Sequence, residues 1–172
     1  VRQAMGRHAE AETLYEQALE IFKAALGEAH PSTATTLHTL ASVRQAMGRH
    51  AEAETLYEQA LEITKAALGE AHPHTIYSLS SLAGCWAAIG KIDEARPLAE
   101  LARRQAEALE EVSDFWTGRV RLRWAQGLKI AGLFDEARGE AEAAAHLLGQ
   151  AVGPDAAFTK EAVALLHELD RD

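Results

Sequence analysis

What this chain has little of narrows its nature before any pattern is read. Its 172 residues include one cysteine, Cys85, so no internal disulfide can form, and no Cys-x-x-Cys or Cys/His spacing suits a structural metal. A reducing, cytoplasmic setting with no metal and no cofactor is the expectation. Four prolines and 6% aromatics offer little to a sheet, while Ala, Leu, Glu, Arg and Gln abound. Those side chains lose little rotamer freedom on a helix, which predicts an all-α protein. Positive charge is also short. Against 26 acidic residues stand 17 basic ones, a formal net charge of -9 that repels phosphate backbones and anionic lipid. Neither nucleic acid nor membrane is an expected partner. No apolar run approaches the roughly 18 residues of a membrane span, and no signal-peptide pattern opens the chain. Glycine-rich phosphate loops, helical metal motifs and a nucleophile set beside a base are missing as well, so an enzyme is not expected. At 48% apolar residues the chain can still bury a core.

What is present is repetition. Residues 43–84 restate residues 1–42 with eight differences: Phe22/Thr64, Ser32/His74, Ala34/Ile76, Thr35/Tyr77, Thr36/Ser78, His38/Ser80, Thr39/Ser81 and Ser42/Gly84. A step of 42 continues through Gly6, Gly48, Gly90 and Gly132, through Ala11, Ala53, Ala95 and Ala137, and through Ala18, Ala60, Ala102 and Ala144. The expected units are about 1–31, 32–73, 74–114 and 115–156, with a last helix over 157–170 that covers the open end. Because Val1 already stands inside a unit, the chain reads as a piece of a longer protein.

Each unit divides into two helices. Residues 1–5 read as a helix end stopped by Gly6, after which Ala11, Leu14, Tyr15, Ala18, Leu19 and Ile21 recur at steps of three and four over 8–26. Gly27 to Pro31 forms the link, with proline suited to a helix start. The next helices are expected over 32–47, 50–68, 74–89 and from Ile92 through Leu109. In the third link Glu111 and Phe115 stand where Gly27/Gly69 and Pro31/Pro73 stood, which makes Ser113 or Asp114 the expected N-cap. Helices over 115–131 and 134–148 follow. Arg121 falls in the slot of Leu37 and Leu79, which raises a local shift of register. Trp86, Trp124 and Cys85 read as core residues.

Gly48-Arg49, Glu52-Ala53-Glu54, Leu56-Tyr57, Ala60-Leu61-Glu62-Ile63 and Leu68-Gly69 with His72-Pro73 resemble the tetratricopeptide repeat, in its 42-residue kinesin light chain type. The resemblance implies an α-solenoid of stacked antiparallel helix hairpins over 1–172 whose concave face is lined by the first helix of each pair. Mapped onto this chain, that face holds Gln3, Thr35, His38, Ser42, Gln45, Tyr77, Ser80, Gly84, Arg119, Gln126 and Lys129, a polar set with a basic end. It implies a non-catalytic scaffold that binds a peptide or partner segment there.

Seven of the eight differences between the two copies lie on the first helix, as though a fixed scaffold carried a varied groove. Drift on an unused surface is the bland reading. His30 and His72 read as linker residues, because the His72-Pro73-His74 spacing cannot set two imidazoles on one helix face. Arg119, Arg121 and Arg123 form a short basic cluster that reads first as a solvated face and otherwise as the place where an acidic ligand would sit. Two alternatives stand beside the scaffold: self-association into a homo-oligomer through exposed repeat ends such as the Leu14, Ala18, Ile21 stripe, and a regulatory sensor domain of a larger signalling protein.

Overall fold

Leucine, alanine and tyrosine at steps of three and four, cut by glycine at steps of twenty-one residues from Gly6 to Gly90 and again from Gly132 to Gly153, produce helices and short turns. The computed structural model describes the backbone of residues 2–171 and the side chains of residues 7–171. Among the described residues there are eight helices: α1 (Arg2–Leu26), α2 (Pro31–Ala46), α3 (His50–Leu68), α4 (Pro73–Ala88), α5 (Ile92–Glu107), α6 (Ser113–Ile130), α7 (Phe134–Val152) and α8 (Ala157–Leu169). Pro31 and Pro73 open α2 and α4, where a missing N–H costs no hydrogen bond. Two compact units emerge, Val1–Ser78 and Leu79–Asp172, divided within α4.

In the first unit α1 packs on α2, and α2 on α3. Leu37, Leu40, Ala41, Ala53, Leu56, Tyr57 and Ala60 form its interior. An ionic clasp joins the helices at one end. Glu12 of α1 accepts from Arg44 Nε at 2.9 Å and from Arg49 Nη1 at 2.7 Å, and Arg49 also holds Glu52. That last hydrogen bond keeps the Glu52 carboxyl below the ordinary carboxylate range. Gly6 does not stop a helix as expected, since α1 runs through it without a break. The equivalent Gly48 takes φ +78° and turns the chain between α2 and α3. Continuing a helix adds a hydrogen bond per residue, which offsets the roughly 1 kcal/mol that a glycine costs inside one.

One linker device recurs at the repeat step. Gly27, Gly69 and Gly153 take φ near +90°, a conformation that strains other L-residues, and each turns its carbonyl toward a threonine six residues on. Thr33 Oγ1 donates to Gly27 O at 2.9 Å, Thr75 Oγ1 to Gly69 O at 2.7 Å, and Thr159 Oγ1 to Gly153 O at 2.8 Å. Thr117 occupies the same slot in the third link, but Glu111 stands in the place of glycine. The Thr117 hydroxyl is buried there with no hydrogen-bond partner. Without a residue that accepts positive φ, α5 stops at Glu107 rather than Leu109. The chain then enters α6 at Ser113, so the N-cap is Val112 and makes no side-chain bond, in place of the expected Ser113 or Asp114.

In the second unit α6 packs on α5, α7 and α8, and α7 packs on α8. The core gathers Ala95, Trp124, Leu128, Ala137, Ala144, Leu148 and Leu169, with Trp86 only partly buried against it. Cys85 is buried. The register shift raised by Arg121 is absent. Thr117, Val120, Trp124 and Ala125 are buried in the slots of Thr75, Ser78, Leu82 and Ala83, and the Arg121 guanidinium reaches outward to Glu140 at 2.7 Å. Backbones meet where α4 crosses α6. A Cβ added to Gly84 would lie 2.7 Å from the Arg123 carbonyl oxygen, and one added to Gly127 would run into the Gly84 backbone.

Two stability measurements follow. Thr33→Val and Thr75→Val each remove a linker hydrogen bond and should cost about 1 kcal/mol in chemical denaturation. Thr117→Val, which removes a buried hydroxyl that bonds to nothing, should cost nothing or stabilise. Gly127→Ala should destabilise the second unit by about 1–3 kcal/mol through overpacking, whereas Gly139→Ala, with open space around it, should not.

Candidate interaction surface

Short polar residues on α2 and the start of α4 come together in the first unit around one buried ring. Tyr57, on α3, is fully buried, and its hydroxyl donates to Gln45 Oε1 at 3.0 Å. Its oxygen also lies 2.9 Å from Ser42 Oγ. Ser42 has a single proton to share between that oxygen and the His38 carbonyl at 3.1 Å. The His38 ring meets Tyr57 edge-on at 5.1 Å and lies against Tyr77 at 4.6 Å with a 32° tilt. Thr35 is exposed on the same helix, its hydroxyl bonded back to Pro31 O at 3.1 Å. The structure therefore assembles Thr35, His38, Ser42, Gln45 and Tyr77 into one patch. His38 is its buried base, and Ser42, Gln45 and Tyr77 are half-buried. The side chain of Gln3 lies outside the described residues.

The second unit treats its candidates differently. Ser80 is 1% exposed and offers no hydroxyl to solvent. Gly84 is consumed by the α4–α6 contact. Helix α8 lies along α6 and engages the expected basic end. The Arg119 guanidinium sits 4.2 Å from the centre of the Phe158 ring and within 6 Å of Phe115 and Trp116. Gln126 Nε2 donates to Glu161 at 2.8 Å, and Lys129 pairs with Glu168. Phe158, Glu161 and Glu168 share one face of α8, so this helix neutralises the polar wall by itself. The basic cluster of Arg119, Arg121 and Arg123 is dispersed: Arg119 goes to aromatics, Arg121 to Glu140, and Arg123 donates to Gln126 at 3.1 Å.

Three of the eight differences between the two copies, Ala34/Ile76, Thr36/Ser78 and His38/Ser80, are buried in both, which makes them packing choices; Ser32/His74 and Thr35/Tyr77 stay within reach of solvent in both. The linker histidines have a role that spacing alone did not reveal. His30 Nδ1 accepts from Ser32 N at 3.1 Å, and His72 Nδ1 accepts from His74 N at 3.1 Å, so each caps a helix. A His-Pro pair beginning three residues after a linker glycine, as in Gly27-Glu28-Ala29-His30-Pro31, was the available signal. Among the described residues no group of three or more His, Cys, Asp or Glu could hold a metal, and no helix is long and apolar enough to cross a membrane.

The family model described as Tetratricopeptide repeat matches residues 1–65 and 34–108. No curated protein matches the chain. Among solved structures it is similar to BtubC (BKLC) of P. vanneervenii, with a TM-score of 0.66 and 23% identity over 84% of this chain. The match spans 58% of the BtubC chain. It is also similar to a Podosopora anserina kinesin light chain-type protein with nearly identical TPR-like repeats, at a TM-score of 0.64, 24% identity, 99% of this chain and 82% of that one. At these identities the likeness speaks for the fold: an α-solenoid of helix hairpins. With the glycine turns, the alanine slots and the 42-residue step already on the page, the chain belongs to the tetratricopeptide repeat family.

Proposed function

We propose that this chain is a non-catalytic scaffold that holds an extended partner segment against the first-helix wall, the concave side in this family, through the α2 patch of residues 1–78. Tetratricopeptide repeats serve in general as protein–protein interaction scaffolds. The observation that carries the narrower reading is the lattice anchored on Tyr57. It fixes Ser42 and Gln45 in place while leaving them, with Thr35 and Tyr77, within reach of solvent. Side chains already held in one geometry lose little entropy on binding, so their remaining hydrogen-bond capacity goes into recognition. An extended peptide offers backbone N–H and C=O groups that match an amide, a hydroxyl and a phenol. Positions 119, 126 and 129, bound up with α8, take no part in this reading.

A second reading rests on α1. Leu14 and Ile21 are each 65% exposed, whereas Leu56, in the slot equivalent to Leu14, is 9% exposed because α2 and its neighbours cover it. Such a stripe favours self-association.

Peptide-array binding should be lost when Thr35→Arg obstructs the patch, and should weaken at least tenfold in Gln45→Ala and Tyr77→Ala, with Lys129→Ala as the unaffected control. Retention of binding in all three patch variants would overturn the reading. Light scattering across a concentration series tests the second: Leu14→Glu with Ile21→Glu should abolish any growth of mass, and a strict monomer at all concentrations removes it.

A further inference from the structure

Residues 1–21 and 43–63 have one sequence, and the second occurrence shows what its face takes. Helix α2 packs on α3 there. The Tyr57 hydroxyl donates to Gln45 of α2, its oxygen lies 2.9 Å from Ser42 Oγ, and the His38 ring meets the Tyr57 ring at 5.1 Å. Ala53, Tyr57 and Ala60 are fully buried. Helix α1 carries the same groups as Ala11, Tyr15 and Ala18, yet Tyr15 is 36% exposed and the two alanines are only partly covered. It meets α2 on a different side: Glu12, which bonds Arg44, and the buried Leu19 lie about 160° and 140° around the helix from Leu14. Among the described residues, α1 is thus a second helix whose first-helix side is open.

The stripe of α2 that meets Tyr57 runs through Ala34, His38, Ala41 and Gln45, at steps of four, three and four. Ala34 and Ala41 are 1% and 0% exposed, and small residues there suit a close approach to the alanines of the second helix. A second copy of this chain offers α8 as a first helix with that side open, but the chemistry of α8 differs. Three repeat steps carry Ala34, His38 and Ala41 to Lys160, Ala164 and His167. Lys160 and His167 are exposed, and Lys160 pairs with Asp155. Seating this stripe on α1 would take an ammonium group out of water and press it against Leu14 and Ala18, at a desolvation cost that Ala34 avoids. The helix that fits α1 is therefore one from another protein.

We propose that the open side of α1 binds a partner protein's helix that presents the α2 pattern: small residues seven apart, with a hydroxyl and an amide placed to meet the Tyr15 hydroxyl as Ser42 and Gln45 meet that of Tyr57. Leu14 and Ile21 supply the apolar flank of the contact, and Ala11 and Ala18 let the two helices close. The proposal shares with self-association the premise that this stripe is an interface, and differs from it in the occupant. It does not draw on the α2 patch.

The test uses the whole chain, with calorimetry and two-dimensional NMR as readouts. The probe is a capped peptide with the sequence of residues 31–47, held helical by a lactam between Thr35→Glu and Thr39→Lys so that little ordering is left for the binding step. Saturable binding of one equivalent is expected, with the resonances of Leu14, Tyr15 and Ile21 shifting. Tyr15→Phe, which removes only the hydroxyl, should weaken binding about two- to tenfold. Leu14→Glu/Ile21→Glu, at exposed positions, should abolish it while melting with the parent. The peptide carrying Ala34→Lys and Ala41→His, which copies α8, should bind at least tenfold more weakly. No binding of the probe, shifts confined to α3, or binding that survives both chain variants would overturn the proposal. Light scattering separates it from self-association: a strict monomer that binds the peptide removes self-association alone, and mass that grows with concentration in a chain blind to the peptide removes the foreign helix alone.

Discussion

Two helices approach to about 8 Å only where the residues at the crossing carry one side-chain carbon or none, and this chain meets that condition at a fixed step. Ala53 and Ala60, Ala95 and Ala102, and Ala137 and Ala144 are all fully buried, two to each second helix. Their smallness lets long side chains such as Tyr57, Leu128 and Leu148 reach across and fill the remaining space. Where α4 meets α6 even alanine is too large, and Gly84 and Gly127 bring backbone against backbone. The linker staples, the helix caps and the aromatic stack on His38 all presuppose this spacing. A wider approach would pull the Tyr57 hydroxyl away from Ser42 and Gln45 before it disturbed any local hydrogen bond.

Burial of so many hydroxyls on the first helices needs a separate physical reason. Thr36 bonds Ser32 O at 2.9 Å, Thr39 bonds Thr35 O at 2.9 Å, and Ser42 bonds His38 O at 3.1 Å, each four residues back along α2. A hydroxyl that donates to its own helix is already satisfied and can enter a core as a small, nearly apolar group. That is why the polarity of α2 and α4 misleads when read as solvent exposure. Ser80 and His38, which look like the lining of an open groove in the sequence, are inside.

The fold was legible because its determinants are local: helix-stopping glycines, prolines at first helical positions, and apolar residues at steps of three and four. The bounds expected for α3, His50 to Leu68, are those observed. Errors fell where two local signals competed, at Gly6, which serves a helix interior or a turn equally well, and at Glu111, where the absence of glycine shortened α5. The candidate surface was less legible because it depends on distant segments. Tyr57 organises Ser42 and Gln45 across a hairpin, and α8 engages Arg119, Gln126 and Lys129 from 35 to 39 residues further along the chain. Nothing in the local pattern of α6 announces Phe158, Glu161 and Glu168.

Near-identical copies show how far environment outweighs local sequence. Residues 1–21 and 43–63 are the same, yet Leu14 is 65% exposed and Leu56 9%, and Tyr15 faces solvent while Tyr57 is enclosed. The copies differ in what covers them, so a repeat unit carries a latent interface that becomes core once a neighbouring helix is laid on it.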